Sequence, residues 1–469
     1  MVFSSISFIF IFLPAVLAAY YLVPKQLKNP VLLVFSLLFY YIGEQKLTVI
    51  MIASTLTDYF CSLGIEHFRK KRALTKLFLG ISLLFNLSLL GYFKYAGLLI
   101  KSFNGITGAD VPLLKIALPI GISFYTFQTM SYTIDVYRGK FEAQKNLLDF
   151  AVYVTLFPQL IAGPIVRYED VKKEIKASDR KVDVNDFAYG VRRFCIGLGK
   201  KVLLANTLAE LSQIYDGAKT HTAVTAWICA IAVPLQIYFD FSGYSDMAIG
   251  LGRMFGFHFI ENFNYPVVSK SASEFWRRWH MTLGSWFKDY VYIPLKGSRC
   301  KPYRNIINLL AVWLATGLWH GASYNFILWG LFYGILIILE KYVYGKYLEK
   351  SEIISRIYFF IITVIGFEIF SADSLSSIGI RIGELFGVGT GAFTDVYSNY
   401  YAKSYLPVII ISVICALPFG KMLFNRISKK KAAGISLEIL SLFACMGIIC
   451  VCTGYLVDGS YNPFLYFRF

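Results

Sequence analysis

Long apolar stretches separated by short polar connections dominate this sequence. A helix needs roughly 20 apolar residues to cross the hydrocarbon core of a bilayer. Candidate spans lie near residues 4–24, 29–43, 47–65, 77–99, 113–137, 148–165, 187–212, 222–250, 305–319, 324–343, 355–371, 404–420 and 433–456. A composition of 57% hydrophobic and 16% charged residues excludes a water-soluble enzyme. We therefore predict an all-α polytopic membrane protein in which about ten to thirteen segments cross or re-enter the bilayer.

Three of these stretches have distinctive local features. The first, from Phe3 to Pro24, is too long for the apolar part of a signal peptide and lacks a basic segment before it, so we expect it to be retained as a helix. The stretches at 148–165 and 187–212 are expected to be re-entrant or interfacial, because they contain helix-breaking or charged residues. These residues are Phe157, Pro158, Gly163 and Pro164 in the former and Arg192, Arg193, Lys200 and Lys201 in the latter.

The basic residues indicate the orientation. Lys and Arg total 46 against 29 Asp and Glu, a net charge of +17, which in a membrane protein reports topology and attraction to anionic lipid rather than nucleic-acid binding. Basic loops follow the first, third and fifth stretches, and a further basic run is Lys429–Lys431. We predict a multi-pass protein of the plasma or inner membrane with both termini outside. The weakly charged segment 371–405 then faces outside, where it is available to a partner.

The cysteines do not form a recognisable pattern. They are Cys61, Cys195, Cys229, Cys300, Cys415, Cys445, Cys450 and Cys452. Their spacing is neither that of a disulfide framework nor that of a zinc site, so we interpret them as small buried apolar residues. No complete P-loop, dinucleotide-binding fingerprint or H-E-x-x-H motif occurs, and we predict no metal and no bound cofactor. Residues 1–469 are interpreted as one membrane domain.

The window 271–304 combines many charges with tryptophan and tyrosine. It contains Trp276, Arg277, Arg278, Trp279, His280, Trp286 and Lys288. At helical spacing, Trp276, Trp279 or His280, and Leu283 share a face, which predicts an amphipathic helix at the cytoplasmic interface. This basic collar, residues 271–304, has two interpretations. It either anchors the protein to the membrane surface or binds an anionic, phosphate-bearing donor such as coenzyme A.

A histidine closes the next apolar stretch. Ile306–Leu318 leads into Trp319, His320 and Gly321. An imidazole at membrane depth is expected to face the protein interior or a wet cavity, and its pKa near neutrality suits proton transfer. We interpret His320 as a catalytic base, with a hydrogen-bonded core histidine as the alternative. The remaining histidines, His67, His221 and His258, are interpreted as structural or exposed.

Two carboxylates and a tyrosine lie in the apolar stretch 236–246. Asp240 and Asp246 need partners at membrane depth, which neighbouring Tyr, Ser and Gln side chains such as Tyr244, or an arginine of the collar, would supply. A structural polar network is one interpretation. The other is that the carboxylates orient a catalytic imidazole or line an aqueous path.

Four ordered motifs resemble those of the membrane-bound O-acyltransferases, and most closely the branch of that family involved in alginate O-acetylation. They are FPQLIAGPI at 157–165, FDFSGYSD at 239–246, FWRRWHMTL at 275–283 and GLWHG at 317–321. The opening residues 1–5 and the segment 119–125 fit the same branch, so the resemblance extends over nearly the whole chain. The motif-bearing core is 113–345.

The resemblance implies a fold with a thin central region, which joins a cytoplasmic entrance for a thioester donor to an outer funnel for the acceptor. His320 matches the catalytic histidine of the family and His280 its second histidine. We predict both as catalytic residues, with donor positioning as the alternative role of His280. Trp276, Arg277, Arg278, Lys288 and Trp319 are then candidates for donor binding or positioning. The implied activity is O-acetylation of an exported polysaccharide, with acetyl-CoA or another acyl thioester as donor and with extracytoplasmic partner proteins that finish the modification.

Two other functions remain open from the sequence. A teichoic acid D-alanyltransferase uses the same fold with a carrier-protein donor. A flippase or channel would use the funnel as a path without any chemistry.

Overall fold

The computed structural model describes residues 1–114, 116–428 and 431–459. Within these residues the protein is helical and contains no β-strand, only an isolated bridge between Thr222 and Ala392. The predicted all-α class is confirmed. Of the predicted cytoplasmic basic run, Lys429 and Lys430 lie outside the described residues.

The helices are numbered in chain order. The first eleven are α1 Leu13–Leu22, α2 Lys28–Glu44, α3 Thr48–His67, α4 Arg72–Leu90, α5 Ala96–Thr107, α6 Ile122–Tyr137, α7 Leu147–Thr155, α8 Phe157–Leu160, α9 Tyr168–Ile175, α10 Val184–Gly199 and α11 Asn206–Gly217. The next are α12 Ala223–Met254, α13 Ala272–Arg278, α14 Met281–Phe287, α15 Pro302–His320, α16 Tyr324–Leu339, α17 Gly345–Leu348, α18 Glu352–Ser371, α19 Leu375–Leu385, α20 Val396–Ala416, α21 Phe419–Ile427 and α22 Lys431–Val457.

The chain forms two compact units. The first consists of Met1–Phe194 and Ser245–Ile260. The second consists of Cys195–Tyr244 and the described residues from Glu261 onward. The second unit contains the basic collar and both histidines singled out by the sequence motifs, so the candidate site is described within it.

Seven helical stretches of the described chain are long and apolar enough to cross a membrane. They are Lys25–His67, Arg72–Thr107, Ala223–Met254, Tyr324–Leu348, Glu352–Ser371, Val396–Ala416 and Ser436–Val457. Lys25–His67 is 43 residues long and contains α2 and α3, which correspond to the two predicted spans at 29–43 and 47–65. A multi-pass membrane protein is thereby confirmed, while the number of crossings stays a prediction.

Two predicted spans differ in the structure. The span at 113–137 is helical only from Ile122, because Pro119 and Gly121 lie just before it and Gly121 has a left-handed backbone, φ 74. A side chain at Gly121 would also come within 2.5 Å of the Leu160 carbonyl oxygen.

In the predicted span at 187–212, the basic residues near position 200 do not interrupt the helix. The chain stays helical from α10 through a π-helical turn, Lys200–Ala205, into α11.

The stretch at 148–165 is interrupted where Pro158 and Gly163 suggested. Helix α7 ends at Thr155, α8 is four residues long, and residues 161–167 are not helical. Residues 157–166 of this break are buried, Phe157 and Ala162 completely. Burial in protein is the condition under which non-helical backbone is tolerated at membrane depth.

The prediction that all eight cysteines are buried is wrong in part. Cys61, Cys195, Cys229, Cys445 and Cys452 are buried, but Cys300 is intermediate and Cys415 and Cys450 are exposed. The last two lie on α20 and α22, apolar helices that expose most of their side chains to the surroundings of the protein. An apolar exterior accepts a cysteine as readily as an apolar core does.

Helices α15 and α16 approach each other closely at two glycines. A Cβ atom at Gly330 would lie 2.4 Å from the carbonyl oxygen of Trp313, and one at Gly317 would lie 2.3 Å from that of Phe326. Small residues at such crossings let helix backbones touch. The contact fixes the end of α15, where His320 lies three residues beyond Gly317.

We expect Gly330→Ala to destabilise the protein by about 1–3 kcal/mol, because the added methyl group forces the two backbones apart. The measurement is the midpoint of thermal unfolding in detergent. Gly447→Ala is the matched control, since a Cβ atom at Gly447 on α22 meets nothing within 4 Å. Equal midpoints for the two variants would contradict the close helix contact.

Candidate active site

His320 is the last residue of α15 and faces the interior of its unit. The helix stops there because Gly321 adopts an extended backbone, φ −170 and ψ 158. The imidazole is 5% exposed. Its ring centroid lies 4.9 Å from that of Trp329, 5.0 Å from that of Trp319 and 5.3 Å from that of Phe370. The expectation that this ring points into the protein rather than toward lipid is met.

The second histidine lies at the junction of two short helices. His280 lies between α13 and α14, which are seven residues each, and has a left-handed backbone, φ 44 and ψ 52. The single amphipathic helix predicted for this region is therefore wrong. Backbone hydrogen bonds from Asn264 N to Arg278 O and from Met281 N to Asn262 O, both 2.9 Å, hold the turn in place.

Asn262 orients the His280 ring. The Nδ1 atom of His280 lies 3.1 Å from Asn262 Oδ1, and the Thr282 hydroxyl donates to the same oxygen over 2.9 Å. Because an amide oxygen only accepts, Nδ1 carries the proton and the basic lone pair is on Nε2. Burial and the neighbouring His320 hold the pKa of His280 well below its ordinary value, so the ring is neutral at physiological pH. Sequence reasoning missed Asn262, which lies eighteen residues before His280.

The tryptophan before His320 brings the two imidazoles together. The ring centroid of Trp319 lies 5.6 Å from that of His280 and 5.0 Å from that of His320. The ring of Phe241 covers His280 from another side, at 4.6 Å. Residues forty positions apart in the sequence thus share one aromatic enclosure.

The tryptophans of the basic collar pack against protein. Trp276 contacts Trp329 at a centroid distance of 5.1 Å, and Trp329 in turn contacts His320. Trp279 and Trp286 are buried. An aromatic series therefore leads from the collar to the His320 ring.

Most of the basic side chains of the collar, unlike its tryptophans, are exposed. Arg277, Lys288, Lys296, Arg299, Lys301 and Arg304 are exposed. Arg278 is held by Glu274, with Nε 3.0 Å from Oε1. Exposed guanidinium and ammonium groups close to a buried aromatic enclosure can bind a phosphate-bearing molecule whose other end enters the protein.

Both acidic residues of the 236–246 stretch have cationic partners that the sequence analysis did not assign. Asp240 Oδ1 lies 2.6 Å from Lys201 Nζ in the second unit, and both side chains are 3% exposed. In the first unit, Arg193 reaches Asp246 Oδ1 with Nε at 2.8 Å and Nη2 at 2.7 Å. Tyr244, which lies between the two acids in the sequence, is buried. Both of these cationic partners come from the α10–α11 region.

The other three histidines lie outside this cluster. His221 Nδ1 is 2.8 Å from Glu384 Oε1, and His258 Nδ1 is 2.6 Å from Glu174 Oε1. His67 is exposed at the end of α3. Over the described residues, no group of three or more His, Cys, Asp and Glu side chains is arranged to hold a metal ion.

Comparisons with known proteins agree on one family. A sequence profile of the membrane-bound O-acyltransferase family matches residues 37–370. The chain is 36% identical over 489 residues to a probable alginate O-acetylase, AlgI, of Pseudomonas putida, covering 100% of both chains. It is 36% identical to a peptidoglycan O-acetyltransferase of Helicobacter pylori, over 73% of this chain and 70% of the relative. It is 27% identical to a teichoic acid D-alanyltransferase of Bacillus subtilis, over 54% and 68% respectively.

Proposed function

Because the chain belongs to the membrane-bound O-acyltransferase family, we propose that it moves an acetyl group from cytoplasmic acetyl-CoA to hydroxyl groups of an exported polysaccharide. The relatives named for O-acetylation of alginate and of peptidoglycan support a glycan acceptor. The observation that carries the proposal is the aromatic enclosure that holds His320 and His280 together.

The chemistry proposed for His320 is general-base catalysis. Its neutral imidazole takes the proton of an acceptor hydroxyl as the hydroxyl oxygen attacks the carbonyl carbon of the thioester. The carbon–sulfur bond of the tetrahedral intermediate then breaks, and the thiolate leaves with the proton returned by the imidazolium. An ester and a free thiol result. The surrounding rings of Trp319, Trp329 and Phe370 keep bulk water from competing with the acceptor.

His280 is proposed to position the donor rather than to remove a proton. Asn262 fixes its tautomer, so that Nε2 accepts a hydrogen bond. Trp319 contacts both imidazole rings, so that His280 can touch one part of the substrate while His320 acts at another.

The basic collar is proposed as the cytoplasmic entrance for the donor. Its exposed Arg and Lys side chains match the phosphate groups of coenzyme A, and the acyl arm follows the aromatic series toward His320. With the collar inside and both termini outside, α15 runs outward and ends at His320. The transfer then takes place on the outer side, where extracytoplasmic partner proteins that act on the same glycan have access.

We expect Arg277→Ala to raise the KM for acetyl-CoA by roughly tenfold to a hundredfold, since one charge-assisted hydrogen bond is worth about 1.5–3 kcal/mol. The measurement is acetyl-CoA turnover by the purified protein in detergent, together with the unfolding midpoint. Arg426→Ala, at an exposed arginine of α21, is the control. An unaltered KM in Arg277→Ala would return the collar to a membrane-anchoring role.

The decisive experiment for the acceptor is mass spectrometry of the cell-surface polysaccharide with and without this protein. Loss of acetyl ester from one glycan supports the proposal and names its acceptor, whereas identical spectra contradict it. The similarity to a teichoic acid D-alanyltransferase favours D-alanyl transfer as the second candidate. Loss of D-alanyl ester with acetyl ester intact would identify that activity, while membership of an acyltransferase family argues against a non-enzymatic transporter.

A further inference from the structure

A pocket lies in the second unit between the end of α11, the beginning of α12 and the beginning of α20. Its volume is about 330 Å³, within the range of small-molecule sites. Six of the residues that line it are Tyr215, Lys219, Thr220, Asp395, Tyr397 and Tyr401. We propose that this pocket binds one sugar residue of the polysaccharide acceptor, an inference that rests on the proposed function.

The lining suits a sugar ring in two respects. Tyrosine rings offer flat apolar surfaces, which match the C–H faces of a sugar, and their hydroxyls offer polar tips. Thr220 and Lys219 add a hydroxyl and an ammonium group that match sugar hydroxyls or a sugar carboxylate. Within the described part of the chain, no hydrogen bond engages the side chains of Lys219, Thr220, Tyr397 or Tyr401, so the fold does not use their capacity.

The inner wall of the pocket is held by an ionic cluster. The Tyr215 hydroxyl donates to Glu384, which also accepts from His221 Nδ1 over 2.8 Å. Burial and the Glu384 carboxylate raise the pKa of Tyr215, so that its hydroxyl stays protonated and keeps donating. Arg381 on α19 contacts Asp216 beside it. Because these contacts already order the Tyr215 side of the pocket, a ligand binds there without the entropic cost of ordering those side chains.

Backbone contacts hold the segment that precedes α20. Gly391 N donates to His221 O and Val224 N to Phe393 O, each over 3.2 Å, so the segment before α20 is tied to the turn before α12. Asp395 caps α20 by accepting from Ser398 N. Tyr397, two residues further on, also lines the pocket and is 72% exposed, so it is accessible to a ligand.

Contacts within the same unit connect the pocket to His320. Arg381, which contacts Asp216, also lies 3.5 Å from Glu368 near the end of α18. Two residues later on that helix, Phe370 contacts the His320 ring. The predicted orientation puts this end of α18 outside, the side on which an exported glycan is found. A polymer bound by one sugar in the pocket would have neighbouring sugars available for the approach to His320.

The test is direct binding of oligosaccharides to the detergent-solubilised full chain by isothermal titration calorimetry. The probes are a mannuronate tetramer, which is acidic, and chitotetraose, which is neutral. We expect at least one to bind, and Tyr397→Ala to raise its Kd by roughly fivefold to tenfold through loss of an aromatic contact. Tyr347→Ala on α17 is the control, because Tyr347 is likewise exposed and lies outside the pocket. Lys219→Met identifies the sugar type, since it weakens only the acidic probe if a carboxylate contacts that ammonium group.

Two results would overturn the proposal. One is that neither probe binds to the protein. If, in addition, Tyr397→Ala lowers glycan acetylation in cells, the pocket would be assigned to a protein partner. The other is equal Kd values for Tyr397→Ala and Tyr347→Ala. Because binding is measured without acetyl transfer, either result leaves the proposed function standing, and that function fails separately if deletion of the protein leaves the glycan esters unchanged.

Discussion

Replacement of His320 by alanine is expected to abolish detectable acetylation of the exported glycan while the protein remains folded. General-base catalysis by a positioned side chain contributes about 10²–10⁴-fold to a rate, and the methyl group of alanine cannot take the proton of the acceptor hydroxyl. The ring packs among the side chains of Trp319, Trp329 and Phe370 at the end of α15. Its removal leaves a small cavity there, and we expect the end of the helix to keep its structure. The readouts are ester content of the surface polysaccharide and protein level in the membrane.

His67→Ala is the matched control for this experiment. His67 is exposed at the end of α3, in the other unit, and its loss should leave ester content as in the unsubstituted protein. Normal ester content in His320→Ala cells, at an equal protein level, would remove His320 from the mechanism. If the His320 variant is present at a reduced level, it is purified and turnover per folded molecule is measured instead.

Breaking the ion pair between Lys201 and Asp240 is expected to produce the largest loss of stability. Both side chains are 3% exposed, with 2.6 Å between Nζ and Oδ1. Lys201→Met leaves the Asp240 carboxylate buried without this cation, which costs about 3–5 kcal/mol. We expect a marked fall in the unfolding midpoint and in the amount of protein recovered from membranes.

The double variant Lys201→Met with Asp240→Leu separates this effect from a general intolerance of substitution. Removal of both charges leaves no isolated ion, so we expect much of the lost stability to return. Lys101→Met on α5 is the single-lysine control, since Lys101 is exposed. If Lys201→Met unfolds at the same temperature as Lys101→Met, the pair does not stabilise the fold.

The elements that depend on local pattern could be predicted from the sequence. Apolar length alone indicated the spanning helices, and Pro158 with Gly163 indicated the break after α7. The inward direction of His320 also followed, because a polar ring at the end of an apolar helix has few other places to go. In each case the physical cause lies within about twenty neighbouring residues.

The features that depend on distant partners could not be predicted. Lys201 and Arg193 looked like interruptions because their carboxylate partners lie 39 and 53 residues away on α12. Buried cations need anions, so the two acids of α12 and the basic pairs at 192–193 and 200–201, all in apolar surroundings, indicated that ion pairs would form. The sequence does not say which cation pairs with which carboxylate. The turn at His280 depends in the same way on hydrogen bonds with the Asn262–Asn264 segment.

Two separable requirements meet at residue 280. Its backbone, at φ 44 and ψ 52, suits asparagine or glycine and strains most other residues. Alanine there would remove the imidazole and also press on the junction of α13 and α14, so an inactive alanine protein would not say which of the two mattered. Asparagine keeps the junction and discards the ring. Natural or engineered chains that carry asparagine at 280 therefore divide the geometric role of this position from its chemical one.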